Sequence, residues 1–195
     1  MKSAHYYLVI ASTALVLSFS TMAQDVQHST NEGPLVAANA ELVTKIDAKT
    51  AKAGDTVTAK LTSSVHLTGG TELKRNTLLT GHIDQVQPAV NNGASTVVLT
   101  FDKAQPKGGE AIAIKSTIVG IYPSGTDLVA PDLSSQMKIA EAPASAHGYS
   151  LTSDVRGSTS GVLTADGKNV HVADGTELQF AVAPIAAAGA PAAGN

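Results

Sequence analysis

Short runs of alternating apolar and polar residues, split by turn residues, recur from about residue 40 to residue 183. Thr56–Leu61 alternates cleanly, so Val57, Ala59 and Leu61 share one face. Leu78–Val86, Ser95–Phe101 and Glu110–Tyr122 repeat the pattern with β-branched residues. Gly54-Asp55, Asn92-Gly93 and Pro106-Lys-Gly-Gly109 punctuate them, and Asn-Gly marks a hairpin because both residues tolerate positive φ. Glu41–Asp47 reads as the first strand, with Leu42, Thr44 and Ile46 on one face. The pattern returns at Gly161–Ala165, Asn169–Ala173 and Thr176–Ala183, with turns at Asp166-Gly167 and Asp174-Gly175. Together these predict an all-β fold, a small antiparallel β-barrel of about seven to nine strands. In the last strand Leu178, Phe180 and Val182 alternate, and are expected to fill the core beside Phe101 or its neighbours.

The pattern lapses in three places. Residues 24–39 are polar and turn-rich and read as a flexible leader. Residues 123–150 are dominated by Pro, Ser, Ala and Gly and predict one long loop, with Asp132–Ala142 as a candidate short helix carrying Leu133 and Met137 on one side. Residues 184–195 are an Ala/Gly/Pro tail expected to be disordered. The barrel domain is therefore placed at residues 40–183.

The first residues carry the marks of export. Lys2 precedes an apolar stretch from Leu8 to Phe19, too short to span a bilayer comfortably, and Thr21-Met22-Ala23 offers small residues to a signal peptidase. Residues 1–23 are read as a signal peptide, cleaved to leave Gln24 first, and the mature protein as periplasmic or extracellular without further membrane insertion. The mature chain, 172 of the 195 residues, suits one domain with a core of its own. There is no cysteine, hence no disulfide, no thiolate zinc site and no lipid-modified cysteine. Lys2 is the one charged residue of the signal, so its removal takes the net charge from −3 to −4. That balance gives no electrostatic reason to bind nucleic acid. After the signal only Phe101, Tyr122, Tyr149 and Phe180 are aromatic, which leaves few rings to stack on sugars or bases.

Ordered along the chain, Gly54-Asp55-Thr56-Val57, Leu79-Thr-Gly-His-Ile83, Phe101-Asp-Lys-Ala104, Gly167-Lys-Asn-Val-His-Val172 and Gly175-Thr-Glu-Leu178 resemble a group of exported proteins found chiefly in acidobacteria. That group has no assigned function. More distantly, the order of elements is similar to the C-terminal β-barrel of TrbI-type proteins of conjugation and type IV secretion, through Leu78–Ile83 and Pro106–Ile112. The resemblance implies a barrel and not an activity. Where the group carries Gly before the hydroxyl residue leading into "L-x-G", this chain has Asn76, the non-glycine residue best suited to a left-handed turn.

Several side chains invite a chemical reading, each beside a plainer one. His82 and Asp84 share a strand face and could begin a metal site, or simply form a polar outer face. His66 and His171 fall at equivalent places in two similar segments, Val65–Leu73 and Val170–Leu178; the echo fits either a duplicated half-barrel or shared turn grammar. Asp102 and Glu110 flank a turn, as acid/base partners or as solvated hairpin ends. Ser158-Thr-Ser160 reads as loop polarity, since no nucleophile elbow or phosphate-cradling loop occurs. No cofactor is implied. The expectation is a non-catalytic cell-envelope binding or structural module, monomeric or weakly associating, with an unknown envelope partner or none. The alternative is a component related to conjugation or type IV secretion assemblies. Any partner surface is expected in the loop region 123–160, where Tyr149 and Arg156 are the side chains to engage it.

Overall fold

A computed structural model describes residues 33–129, 131, 133, 140–142, 148–155 and 157–185. The strands are β1 (Val36–Leu42), β2 (Ile46–Asp47), β3 (Thr56–Leu61), β4 (Val65–His66), β5 (Glu72–Leu73), β6 (Leu78–Gln87), β7 (Ser95–Gln105) and β8 (Ile112–Tyr122). They continue with β9 (Ala140–Ala142), β10 (Ser150–Ser153), β11 (Gly161–Ala165), β12 (His171–Val172) and β13 (Glu177–Pro184). No helix occurs among the described residues. The main sheet runs β6-β3-β1-β13-β8-β7-β11-β10-β9, and β6 also pairs with β7. That last pairing closes six antiparallel strands into a barrel, from which β11, β10 and β9 continue as a wing. The all-β barrel expected from the alternation is what the chain forms.

The interior is filled. Phe101 of β7 and Phe180 of β13 meet edge-to-face, with ring centroids 5.2 Å apart and planes at 76°. Leu42, Val57, Leu61, Leu79, Leu99, Ile114, Ile118, Leu178 and Val182 pack around them, all buried. Small residues at Ala38, Ala40 and Ala59 keep the narrow barrel from overfilling. Outward positions carry Thr, Lys, Glu and Gln, as the period of two demands.

One turn recurs and sets three of the six barrel strands. Asp55 N–H bonds Lys52 C=O at 3.1 Å, Thr77 N–H bonds Lys74 C=O at 3.0 Å, and Thr176 N–H bonds Ala173 C=O at 3.4 Å. The third residue of each turn is left-handed: Gly54 at φ 89°, Asn76 at 68° and Gly175 at 77°. Each turn then grips a neighbouring strand end with two backbone bonds. Gly54 N–H and Asp55 C=O hold Ile83, Asn76 N–H and Thr77 C=O hold Leu61, and Gly175 N–H and Thr176 C=O hold Leu42. The left-handed residue aims its N–H at the neighbour, and β3, β6 and β13 start in register. Asn76 thus takes the conformation expected of it.

Three expectations change, and one open reading is decided. β1 begins at Val36, inside the stretch read as leader, and stops at Leu42, so Thr44 lies beyond it. Its apolar content is mostly Ala, but pairing with β13 on one side and β3 on the other makes it a central strand. The hairpin between β6 and β7 is one residue early: Asn91 (φ 51°) and Asn92 (φ 59°) are its left-handed pair, and Gly93 N–H closes on Val90 C=O at 2.8 Å. Ala140–Ala142, the end of the candidate helix, is a strand on β10, while most of Asp132–Ile139 lies outside the described residues. The two echoed segments differ in pairing, β4 with β5 but β12 with β2, so turn grammar accounts for the likeness.

Candidate functional site: a cleft under a strap on the outer wall

Ser160 is not loop polarity. It is 1% exposed and sits with Ser116 where β7 and β8 part to admit β11. Ser160 Oγ accepts from Phe101 N–H at 2.8 Å, and Ser116 Oγ donates to Phe101 C=O at 2.7 Å. Ser95 Oγ likewise donates to Lys168 C=O at 2.9 Å and accepts from Val170 N–H at 2.7 Å. Ser153 Oγ donates to Ile118 C=O at 2.6 Å. These buried hydroxyls stand in for missing ladder bonds.

The titratable candidates lie on the outside. His82 Nε2 is 3.1 Å from Asp84 Oδ1, and Thr100 Oγ1 donates to Asp84 Oδ2 at 2.6 Å. His66 pairs with Glu72 at 3.9 Å and His171 with Asp47 at 3.6 Å, in two separate two-stranded pieces. Asp102 is on the outer face of β7 and Glu110 is exposed ahead of β8. No group of three metal-ligating side chains occurs among the described residues. Tyr149, expected as a surface handle, is 7% exposed and packs in the core, where burial pushes its phenol up to about 12. Arg156 lies outside the described residues.

A polar concavity on the outer wall was not expected from the sequence. After β8 the chain turns at Pro123–Thr126, where Thr126 donates both N–H (3.2 Å) and Oγ1 (2.7 Å) to Pro123 C=O. It then lies as a strap across the outer face of β1 and β13. Asn39 and Gln179 are cross-strand partners there. Asn39 Nδ2 donates to Leu128 C=O at 3.1 Å, and Gln179 Nε2 to Val129 C=O at 2.7 Å. Tyr122 folds back over Gly120 to donate its hydroxyl to Gln179 Oε1 at 3.1 Å; a Cβ on Gly120 would lie 2.6 Å from the ring. Two amide side chains thus hold the strap by its backbone carbonyls, and the phenol orients one of them.

Beside the strap opens a cleft of about 420 Å³, lined by Asn39, Thr62, Ser63, Thr126, Asp127, Leu128 and Glu177. Glu177 stands opposite Glu41 across the β1–β13 ladder, a like-charge pair offset by the 3.3 Å Glu41–Lys60 bridge. Burial first, then the Glu41 carboxylate, raises the pKa of Glu177 above the ordinary carboxylate value, and Lys60 lowers it. A second cleft, of about 360 Å³, runs along Thr44, Asp47, Asp55 and Ile83, but its carboxylates already cap turns: Asp47 accepts from Lys49 N–H and Asp55 from Lys52 N–H. The lining of the strap cleft comes from four distant stretches, so no local motif announces it. The one local cue is Asn39, a polar residue inside the Ala-rich run 37–40.

No protein-family model, curated protein or solved structure matches the chain.

Proposed function

We propose that the chain is an exported, non-catalytic module of the cell envelope that engages its partner on the outer wall of the barrel, at the strap cleft. The observation that carries this reading is the division of labour between inside and outside. The barrel interior is packed with aliphatic and aromatic side chains, and the buried serines spend their hydroxyls on backbone bonds. The strap cleft instead gathers two carboxylates, an amide and three hydroxyl side chains at the surface. Concave sites with convergent polar groups are the usual places for ligands. The segment from Gly125 to Leu128 also belongs to the loop region in which the sequence places a partner surface.

The test compares capture from envelope extract by the immobilised wild-type protein, by Thr126→Trp, which fills the cleft, and by Lys107→Trp on the far β7–β8 turn. Specific recovery by wild type and Lys107→Trp, lost in Thr126→Trp, supports the reading. Equal recovery by all three, or recovery by none, overturns it.

A further inference from the structure

The strap is gripped by its backbone, through one kind of group. Leu128 C=O and Val129 C=O, successive along the chain, accept from the amides of Asn39 and Gln179, cross-strand partners on β1 and β13. The strap's own side chains add little at that point: Val129 is 85% exposed. Among the described residues, no N–H of Asp127, Leu128 or Val129 is bonded to the barrel. The receiving side is set independently of the strap. Tyr122 donates to Gln179 Oε1, which leaves Nε2 to face outward, and its ring lies where a side chain at position 120 would collide with it. Asn39 is 8% exposed, and its Oδ1 is buried without a hydrogen-bond partner and shut off from the cleft. The strap brings only carbonyls to that amide, and an acceptor buried without a donor counts against the closed arrangement.

We propose that the strap is an internal stand-in for a peptide: a segment of a partner protein displaces it and lays its own backbone on the Asn39–Gln179 amide pair. The inference rests on the binding reading above and names the partner's chemistry. Recognition through main-chain groups is blind to side chains, so any segment that supplies them can exchange with the strap. The strap's grip is two hydrogen bonds between neutral groups, the weaker class. The strap also leaves the Pro123–Thr126 turn and presents acceptors alone. A segment free of that turn can lie extended, where the N–H and C=O of one residue point the same way. One such residue answers both Nδ2 and Oδ1 of Asn39, so the incoming peptide satisfies the acceptor that the strap leaves unmet. The cleft beside the strap is the open ground on which the segment lands before the strap lifts.

The test is an NMR titration of the mature protein with the capped strap peptide acetyl-Gly-Thr-Asp-Leu-Val-amide, a scrambled version of it, and a version N-methylated at Leu and Val. The side-chain amide signals of Asn39 and Gln179 should move saturably. Wild type, whose strap competes, should bind at least about tenfold more weakly than Gly125→Val, where a β-branched residue at φ 76° strains the turn. A Cβ there meets nothing within 4 Å, so the strain stays in the turn. Thr126→Val, which removes the Oγ1 bond to Pro123 C=O, makes the same comparison should Gly125→Val not fold. The scrambled peptide should bind as well as the strap sequence, and the N-methylated one about tenfold more weakly or worse. Gln179→Leu in the Thr126→Val background should lose the peptide. No saturable movement in either strap variant, equal affinity in wild type and both variants, or binding indifferent to Gln179→Leu or to N-methylation overturns the exchange. Envelope capture that Thr126→Trp still abolishes would then leave the binding reading standing without it.

Discussion

The hydroxyls of Ser116 and Ser160 lie 2.9 Å apart and together satisfy both backbone groups of Phe101. The proton count fixes the direction of the chain. Ser116 gives its only proton to Phe101 C=O, so Ser160 must donate to Ser116, and Phe101 N–H donates to Ser160. The ring of bonds bridges the gap between β7 and β8 beside the Phe101–Phe180 contact. Without it the barrel would close around a strand with two unmet backbone groups.

Ser160→Ala strands the Phe101 N–H and Ser116→Ala strands its C=O. Each should cost about 1–3 kcal/mol in urea unfolding. Because the two hydroxyls form one chain, the double variant should cost less than the two single losses added. Strict additivity would show that the hydroxyls act separately.

Asn76 at φ 68° should accept glycine and refuse a β-branched residue. Asn76→Gly should be neutral or slightly stabilising, and Asn76→Val should lose about 1–2 kcal/mol or more. Equal thermal midpoints for the two variants would contradict the turn that starts β6.

Gly81 faces backbone across a register shift in the β6–β7 ladder, where a Cβ would meet the Thr100 carbonyl and come within 2.6 Å of Phe101 Cα. Backbone cannot swing aside as a side-chain tip can. Gly81→Ala should therefore cost more than about 3 kcal/mol. A loss near that of an exposed strand substitution, about 0.5 kcal/mol, would mean that the β6–β7 seam yields.

Glu177 gives a pH signature. Its raised folded-state pKa means that the native state holds the proton more tightly than the unfolded chain. Stability therefore falls as pH rises from the unfolded value through the folded one, and the penalty is complete above both. Glu41, Lys60 and Asp127 are the charged groups around it. Glu177→Gln should be more stable than wild type at neutral pH, with the gap closing by about pH 3, where both carry an uncharged side chain. A gap independent of pH would assign the effect to packing.

The alternation made the strands legible. Thr56–Leu61 and Gly161–Ala165 match β3 and β11 residue for residue, and Phe180 does meet Phe101. Local grammar failed where long-range pairing decides. Val36-Ala-Ala-Asn-Ala40 has too little β-branched character to read as a strand, yet two flanking strands make it one. Ser160 looks like any loop serine until β7 and β8 separate beside it. Tyr149 looked like a surface ring because its loop is polar, and the core claims it. The strap cleft was invisible for the same reason: Asn39, Thr62, Asp127 and Glu177 share no local pattern and meet only when the barrel closes.

The central claim is that this barrel works through the wall beside its strap. A photo-crosslinking residue placed at Ser63, on the cleft, and another at Lys107, on the far turn, test it directly in intact cells. The account predicts one discrete adduct from position 63 and none from position 107. Adducts of the same mass and yield from both positions, or from position 107 alone, would contradict it.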